Sequence, residues 1–179
     1  MQSRKRTWEA RWTVSTRTSP GKDSRMSDRS RTASTGQEVL ITRNFKAPRE
    51  RVFRAWTDSD EVPASFGPGH MDAPRERIHI DLRVGGRYEL TMVGRDGGPE
   101  FAIGYEMLEV VEPELIVLRS DAMPEQGMHE PTVVRVDLHD HGTKTRTTLT
   151  DGPMPPGGRD PAEAGWSAAF DKLAALVAA

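Results

Sequence analysis

The densest cluster of metal-type side chains in the chain is His139-Asp140-His141. Two imidazoles flanking a carboxylate hold a metal only where they converge on it. These three fall on a predicted hairpin turn, with the histidines at i and i+2, so a solvated turn accounts for them. His79 lies on the polar parity of a predicted strand and is expected to be exposed. His70 and His129 lie in loops near the presumed open end of a sheet, where either could line a pocket. Carboxylate pairs are common, but charged residues make up 29% of the chain, so pairs arise by chance and do not mark acid–base machinery. The phosphate-cradling patterns GxxxxGK with Ser or Thr, and GxGxxG after a strand, are absent, as are HExxH and GxSxG. There is no cysteine, hence no disulfide framework, thiol nucleophile or cysteine-ligated zinc. The residues assign no catalytic group, no metal and no cofactor.

What the sequence does offer is an apolar and aromatic set able to wall a cleft: Phe66, Tyr88, Met92, Phe101, Tyr105, Met107, Met123, Trp166 and Phe170. Clefts with mostly apolar walls and a few polar groups are the usual small-molecule sites. Methionine suits irregular ligands and irregular cores alike, so ordinary core burial is the competing reading for each residue. Tyr105 and Met107 carry a second ambiguity. Glu106 and Leu108, on the opposite parity, make an equally plausible inward set. Arg119 at a strand end and His129 in a long loop are the polar candidates.

These side chains need a scaffold, and the stretch from Asp160 onward supplies its axis. Asp160 can cap a helix that has Pro161 at its first position and Glu163 at its third. Trp166, Phe170, Leu173 and Val177 then form one apolar stripe, with Glu163, Ser167 and Lys172 off it. A helix carrying two large aromatics needs a broad apolar partner, and the strands before it are the only candidate. Val39, Ile41 and Phe45 alternate as in a half-buried strand. Ala47-Pro48-Arg49-Glu50 opens a helix whose inner face is Val52, Phe53 and Trp56, and Asp58 can cap a short turn towards Phe66 that Gly67-Pro68-Gly69 ends.

Strands are predicted over 78–82, 88–92, 101–111, 115–119, 132–138 and 143–150, with Gly104 suggesting a bulge or bend. Val84-Gly85-Gly86, Arg95-Asp96-Gly97-Gly98 and Asp140-His141-Gly142 supply turns, and a long loop covers 120–130. The order is β-α-α-β6-α: an α+β fold in which a curved antiparallel sheet grips one terminal helix. A bent sheet closing over one helix leaves a wedge unless large side chains fill it.

Charge divides the chain. Residues 1–36 hold nine Lys and Arg against three acids, while the remainder holds 16 against 24. The first segment is rich in Ser, Thr and Arg and poor in aliphatic residues, so a disordered basic tail is expected. Trp8 and Trp12 among arginines also suit a membrane or nucleic-acid anchor, the composition suits a transit peptide, and Met26 suits an alternative start. The acidic body, residues 37–179, argues against a nucleic-acid surface there. No apolar run reaches the length of a membrane span and no secretory segment is visible, so a cytoplasmic protein is expected.

Several ordered motifs then resemble one family. They are Ile41-Thr42-Arg43 with Phe45, Ala47 through Asp58, Gly67-Pro68, Asp81-Leu82-Arg83 with Gly85-Gly86-Arg87-Tyr88, Leu108 through Val111 before Pro113, and Gly165-Trp166 with Phe170-Asp171-Lys172-Leu173. Together they resemble the AHSA1-like family (activator of Hsp90 ATPase homologue 1-like) of the START/Bet v 1 (SRPBCC) superfamily, over nearly all of 38–177. The resemblance implies a helix-grip fold, with a seven-stranded sheet around the terminal helix and a cavity between them. Superfamily relatives bind lipids, hormones or polyketides there, and some are cyclases or dehydratases. Where members carry a tryptophan pair before Gly-Pro, this chain has Ser65-Phe66.

The expectation is a binding domain for a small apolar or aromatic molecule, monomeric or weakly dimeric. Its cavity would be lined by Phe66, Tyr88, Met92, Tyr105, Met107, Arg119, His129, Trp166 and Phe170. A cyclase- or hydrolase-type enzyme in the same cavity, or an Hsp90-co-chaperone-like interaction module, is the alternative. An enzyme would place a titratable group with a perturbed pKa deep in the cavity.

Overall fold

The computed structural model describes residues 37–178, the side chain of Asp96 excepted. The expected basic tail, 1–36, lies outside the described residues. Alternating side chains make β1, Val39–Phe45, a strand with one buried face. Pro48 then caps α1, Arg49–Thr57, whose buried face is Val52, Phe53, Ala55 and Trp56. The Asp58 carboxylate accepts from the Asp60 N–H at 2.8 Å and starts the chain into the single turn of α2, Val62–Ser65.

The remaining strands are β2, Met71–Asp72; β3, Ile78–Ile80; β4, Arg87–Gly94; β5, Glu100–Val111; β6, Leu115–Ser120; β7, Val133–Asp140; and β8, Thr145–Gly152. They form one antiparallel sheet in the order β1-β8-β7-β6-β5-β4-β2, with β3 also on β4. From β4 to β8 each strand pairs with its successor, and β1 closes the array on β8, Val39 opposite Asp151 and Phe45 opposite Thr145. The two-residue β2 is an addition to the seven strands expected. Leu82 lies beyond the end of β3, just before the turn that Gly86 closes onto the Arg83 carbonyl, and is exposed.

The terminal helix α3, Arg159–Ala178, lies against this sheet with Trp166, Ala169, Phe170, Leu173 and Val177 buried. It starts two residues earlier than a cap at Asp160 predicts, which places Pro161 third. Proline is tolerated there because first-turn N–H groups have no intrahelical acceptor. Phe170 meets Phe45 edge-on at 5.5 Å and Trp56 at 6.0 Å, joining α3 to β1 and α1. Lys172, off the apolar stripe, donates to the Phe66, Pro68 and Met71 carbonyls at 3.1, 3.2 and 3.1 Å. One ammonium thereby ties the α2–β2 loop to the helix.

The expected irregularity at Gly104 is displaced. Pairing of β5 with β4 runs through Gly104 opposite Glu89 without a break, and the register shift falls between Met107 and Glu109 on the β6 side. Gly104 is small for another reason: a Cβ there would strike the Arg87–Asp121 ion pair on the outer face. The shift after Met107 lets Met107 and Val110, three residues apart, both pack on the core.

Candidate functional site

Between the first turns of α3 and the sheet lies a cavity of about 510 Å³. Helix α3 gives it Ala162, Gly165, Trp166 and Ala169, and the sheet gives Met92, Ile103, Tyr105, Ser120 and Asp151. The rim comes from Phe66-Gly67-Pro68, the 121–132 loop and the 154–158 connector. Four methionines (Met92, Met123, Met128 and Met154) line it, and unbranched thioether chains adapt to irregular shapes. Gly165 keeps the helix side open, because a Cβ built there meets no atom within 4 Å.

The candidate residues divide. Phe66, Met92, Tyr105 and Trp166 line the cavity, with Met123 from the wider set. Tyr88, Met107 and Phe170 do not; they are fully buried in the core beneath it. The Tyr88 hydroxyl donates to the Trp56 carbonyl at 3.1 Å, and Phe170 is enclosed by Phe45 and Trp56. Phe101 is half-buried on β5 and outside the lining. Arg119 lies on the opposite side of the sheet, ion-paired with Glu106. Strand parity is the reason: in β6 the inward neighbour is Ser120, so the polar contact at that strand end belongs to the next residue. His129 is exposed beside the lining residue Met128, and His70 and His79 are exposed too.

The Tyr105–Met107 ambiguity resolves with both inward and Glu106 outward. The departure at Ser65-Phe66 is also resolved. Phe66 faces the cavity and packs edge-on against Trp166 at 5.7 Å, while the Ser65 hydroxyl turns away to the Ala55 carbonyl at 2.9 Å.

Three polar residues of the lining escaped the sequence reading: Asp151, Ser120 and Thr132. Asp151 is 6% exposed, and its Oδ2 accepts from Trp166 Nε1–H at 2.8 Å. Its Oδ1 has no hydrogen-bond donor among the described residues. On β6, Ser120 Oγ accepts from the Thr132 N–H at 2.9 Å and from the Thr132 hydroxyl at 3.4 Å. Burial pushes the Asp151 carboxyl above the usual carboxylate range, offset in part by Trp166 and the nearby Thr132 hydroxyl. Burial likewise pushes the Tyr105 phenol up, and the Asp151 charge adds to the effect. The signal was present in β8: Leu149 fixes which parity is buried, and Asp151 shares it.

Among the described residues no group of three or more His, Cys, Asp or Glu could hold a metal. His139 and His141 are exposed, and the Asp140 carboxylate between them accepts from the Gly142 N–H at 2.7 Å. No helix among the described residues is long and apolar enough to cross a membrane.

Residues 46–178 match the family model described as activator of Hsp90 ATPase homolog 1-like protein. No curated protein matches the chain in sequence. Among solved structures, protein CV1439 from Chromobacterium violaceum is similar, with a TM-score of 0.69 at 23% identity over 78% of this chain and 96% of that one. The AHSA1 protein SPO3351 from Silicibacter pomeroyi gives 0.69 at 19% identity, over 79% and 97%. The AHSA1-like protein from Aeromonas hydrophila gives 0.65 at 21%, over 79% and 92%. At these identities the likeness speaks for the fold.

Proposed function

Since this chain belongs to the activator of Hsp90 ATPase homolog 1-like family, we propose that it uses the family's sheet-and-helix architecture as a container for a small apolar or aromatic molecule. The observation that carries this is the cavity of about 510 Å³, which falls in the size range of small-molecule sites. Phe66, Met92, Ile103 and Trp166 would contact the apolar body, and the methionine-lined rim would adapt to its outline.

Thermal denaturation in the presence of polycyclic aromatics, flavonoids and fatty acids tests the reading. Binding to the folded state alone raises stability by about 2.7 kcal/mol at a hundredfold excess over Kd, so a binder shifts the midpoint upward. A panel that moves nothing at saturating concentration would reject it.

One observation favours a second reading, acid–base chemistry on the bound molecule. Asp151 is a buried carboxyl on the cavity wall with its acidity lowered by burial, the perturbed group that an enzyme would need. Turnover of a bound ligand that disappears in Asp151→Asn with affinity retained would support it, and unchanged ligand recovered after long incubation would exclude it for that ligand.

A further inference from the structure

Positive charge is matched over most of the body and left unmatched at one corner of the sheet. Of the 16 Lys and Arg in residues 37–179, twelve arginines ion-pair with a carboxylate. Lys172 is held by three carbonyls. Only Lys46, Lys144 and Arg146 have no ion pair among the described residues. These three lie together. Asn44 of β1 is opposite Arg146 of β8, which is opposite His139 of β7. One step beyond the Phe45–Thr145 pair come Lys46 and Lys144, and the His141 N–H donates to the Lys144 carbonyl at 2.9 Å. The Thr145 hydroxyl donates to the Ala47 carbonyl at 2.7 Å, which keeps the chain at Lys46 beside β8. Phe45, Leu138 and Thr145 are buried on the core side, so the six residues between and beyond them are exposed on the outer face. They form two rows across three strands. Asp140, the carboxylate between the histidines, is engaged by the Gly142 N–H at 2.7 Å.

Like charges set side by side on neighbouring strands are destabilising. Elsewhere the same outer face avoids them: Arg119 is opposite Glu106, Arg87 pairs with Glu89 and Asp121, and Arg135 pairs with Asp137. We propose that this corner docks an extended acidic segment of a partner protein, whose carboxylates supply the charges missing from the chain itself. The cations are spread over a flat face, so a single phosphate cannot reach them all. Lys144 and Arg146, two residues apart on β8, are about 6.6 Å apart along the strand. An extended segment with acids at alternate positions presents its carboxylates at that same interval. Asn44 and the two imidazoles add hydrogen-bonding groups for its amides and polar side chains. The six residues include no aromatic ring on which a base could stack and no apolar side chain to enter a membrane. Thr145 at the corner and Asp151 at the cavity are six residues apart on β8, about 20 Å, so this surface is separate from the container.

Titration of the full, isotope-labelled chain with a ten-residue peptide of alternating Glu and Thr at low salt tests this, read by amide chemical shifts and by fluorescence anisotropy. The amides of 44–46 and 139–146 are expected to move, and binding should weaken as salt rises. The triple variant Lys46→Gln, Lys144→Gln, Arg146→Gln should bind at least about fivefold more weakly, the scale of three exposed ion pairs. Arg77→Gln, which breaks a matched pair elsewhere, should bind as wild type does. Residues 1–36 are common to all these proteins, so their own basic charge does not alter the comparison. No binding at low salt, shifts confined to other residues, or unchanged affinity in the triple variant overturns the proposal. So does equal binding of an alternating Gln and Thr peptide. Tighter binding of a ten-nucleotide oligothymidylate, or of phosphatidylserine vesicles, through the same residues overturns it in favour of a phosphate-bearing partner. The wild-type shift map decides the matter even if a variant does not fold.

Discussion

Trp166 Nε1–H and Asp151 Oδ2 meet at 2.8 Å, a hydrogen bond between the terminal helix and the last strand, both buried. The bond gives an indole and a carboxyl each a partner, and it fixes the helix where the cavity opens. Trp166 also stacks at a tilt on Trp56 at 5.8 Å, so the same ring belongs to the core on one side and to the cavity on the other.

Replacing that donor tests the bond. Trp166→Phe keeps an aromatic ring but leaves Asp151 Oδ2 without its indole donor. We expect a loss of about 1–3 kcal/mol in chemical denaturation, from the unsatisfied buried group together with the smaller ring.

Asp151 also sets a pH dependence. Its folded-state pKa is raised, so the folded protein holds a proton that the unfolded chain releases. That contribution is fully present below the ordinary carboxylate range and is lost as pH rises through the raised folded value. Asp151→Asn keeps an acceptor for Trp166 without the charge. Its stability relative to wild type should therefore rise from acid towards neutral pH and then level off. Denaturation midpoints of the two proteins across pH check this; a difference independent of pH would contradict it.

Lys172 offers a second test of how the helix holds its surroundings. Lys172→Met removes three donors from the Phe66, Pro68 and Met71 carbonyls while keeping the length of the stem. A loss of about 1–3 kcal/mol is expected. Amide exchange should accelerate in 66–71 before it does in the β7–β8 hairpin.

Gly165 separates cavity from fold. It sits within α3, where glycine costs roughly 0.5–1 kcal/mol relative to alanine. Gly165→Leu should keep or raise the melting temperature while its side chain enters the cavity and weakens ligand binding at least tenfold. Unchanged binding would place the ligand elsewhere.

Glycine 86 and glycine 104 should respond differently to alanine. A Cβ on Gly86 strikes the backbone carbonyls of Asp81 and Arg83, which cannot yield without reshaping the turn. A loss of about 1–3 kcal/mol is expected there. At Gly104 the obstacles are the mobile ends of Arg87 and Asp121, an exposed pair of the kind worth about 0–1 kcal/mol, so the loss should stay near or below 1 kcal/mol. Paired denaturation curves decide.

Pattern and motif were enough for the architecture. Trp166, Phe170, Leu173 and Val177 at helical spacing, with alternation in β1, β4 and β7, left one way to bury both apolar faces, and ordered motifs from Ile41 to Leu173 named the family. Which residues face the cavity needed three dimensions. A strand's parity is fixed by period two, but a single extra residue reverses it, and the shift after Met107 is invisible in the letters. Helix rotation likewise decided that Trp166 would reach the cavity while Phe170, one turn on, would close the core. Only the meeting of β5, β6 and β8 beneath α3 gathered Tyr105, Ser120 and Asp151. Residues so far apart in the chain share one surface solely because the sheet curls, and local spacing carries no record of that curvature.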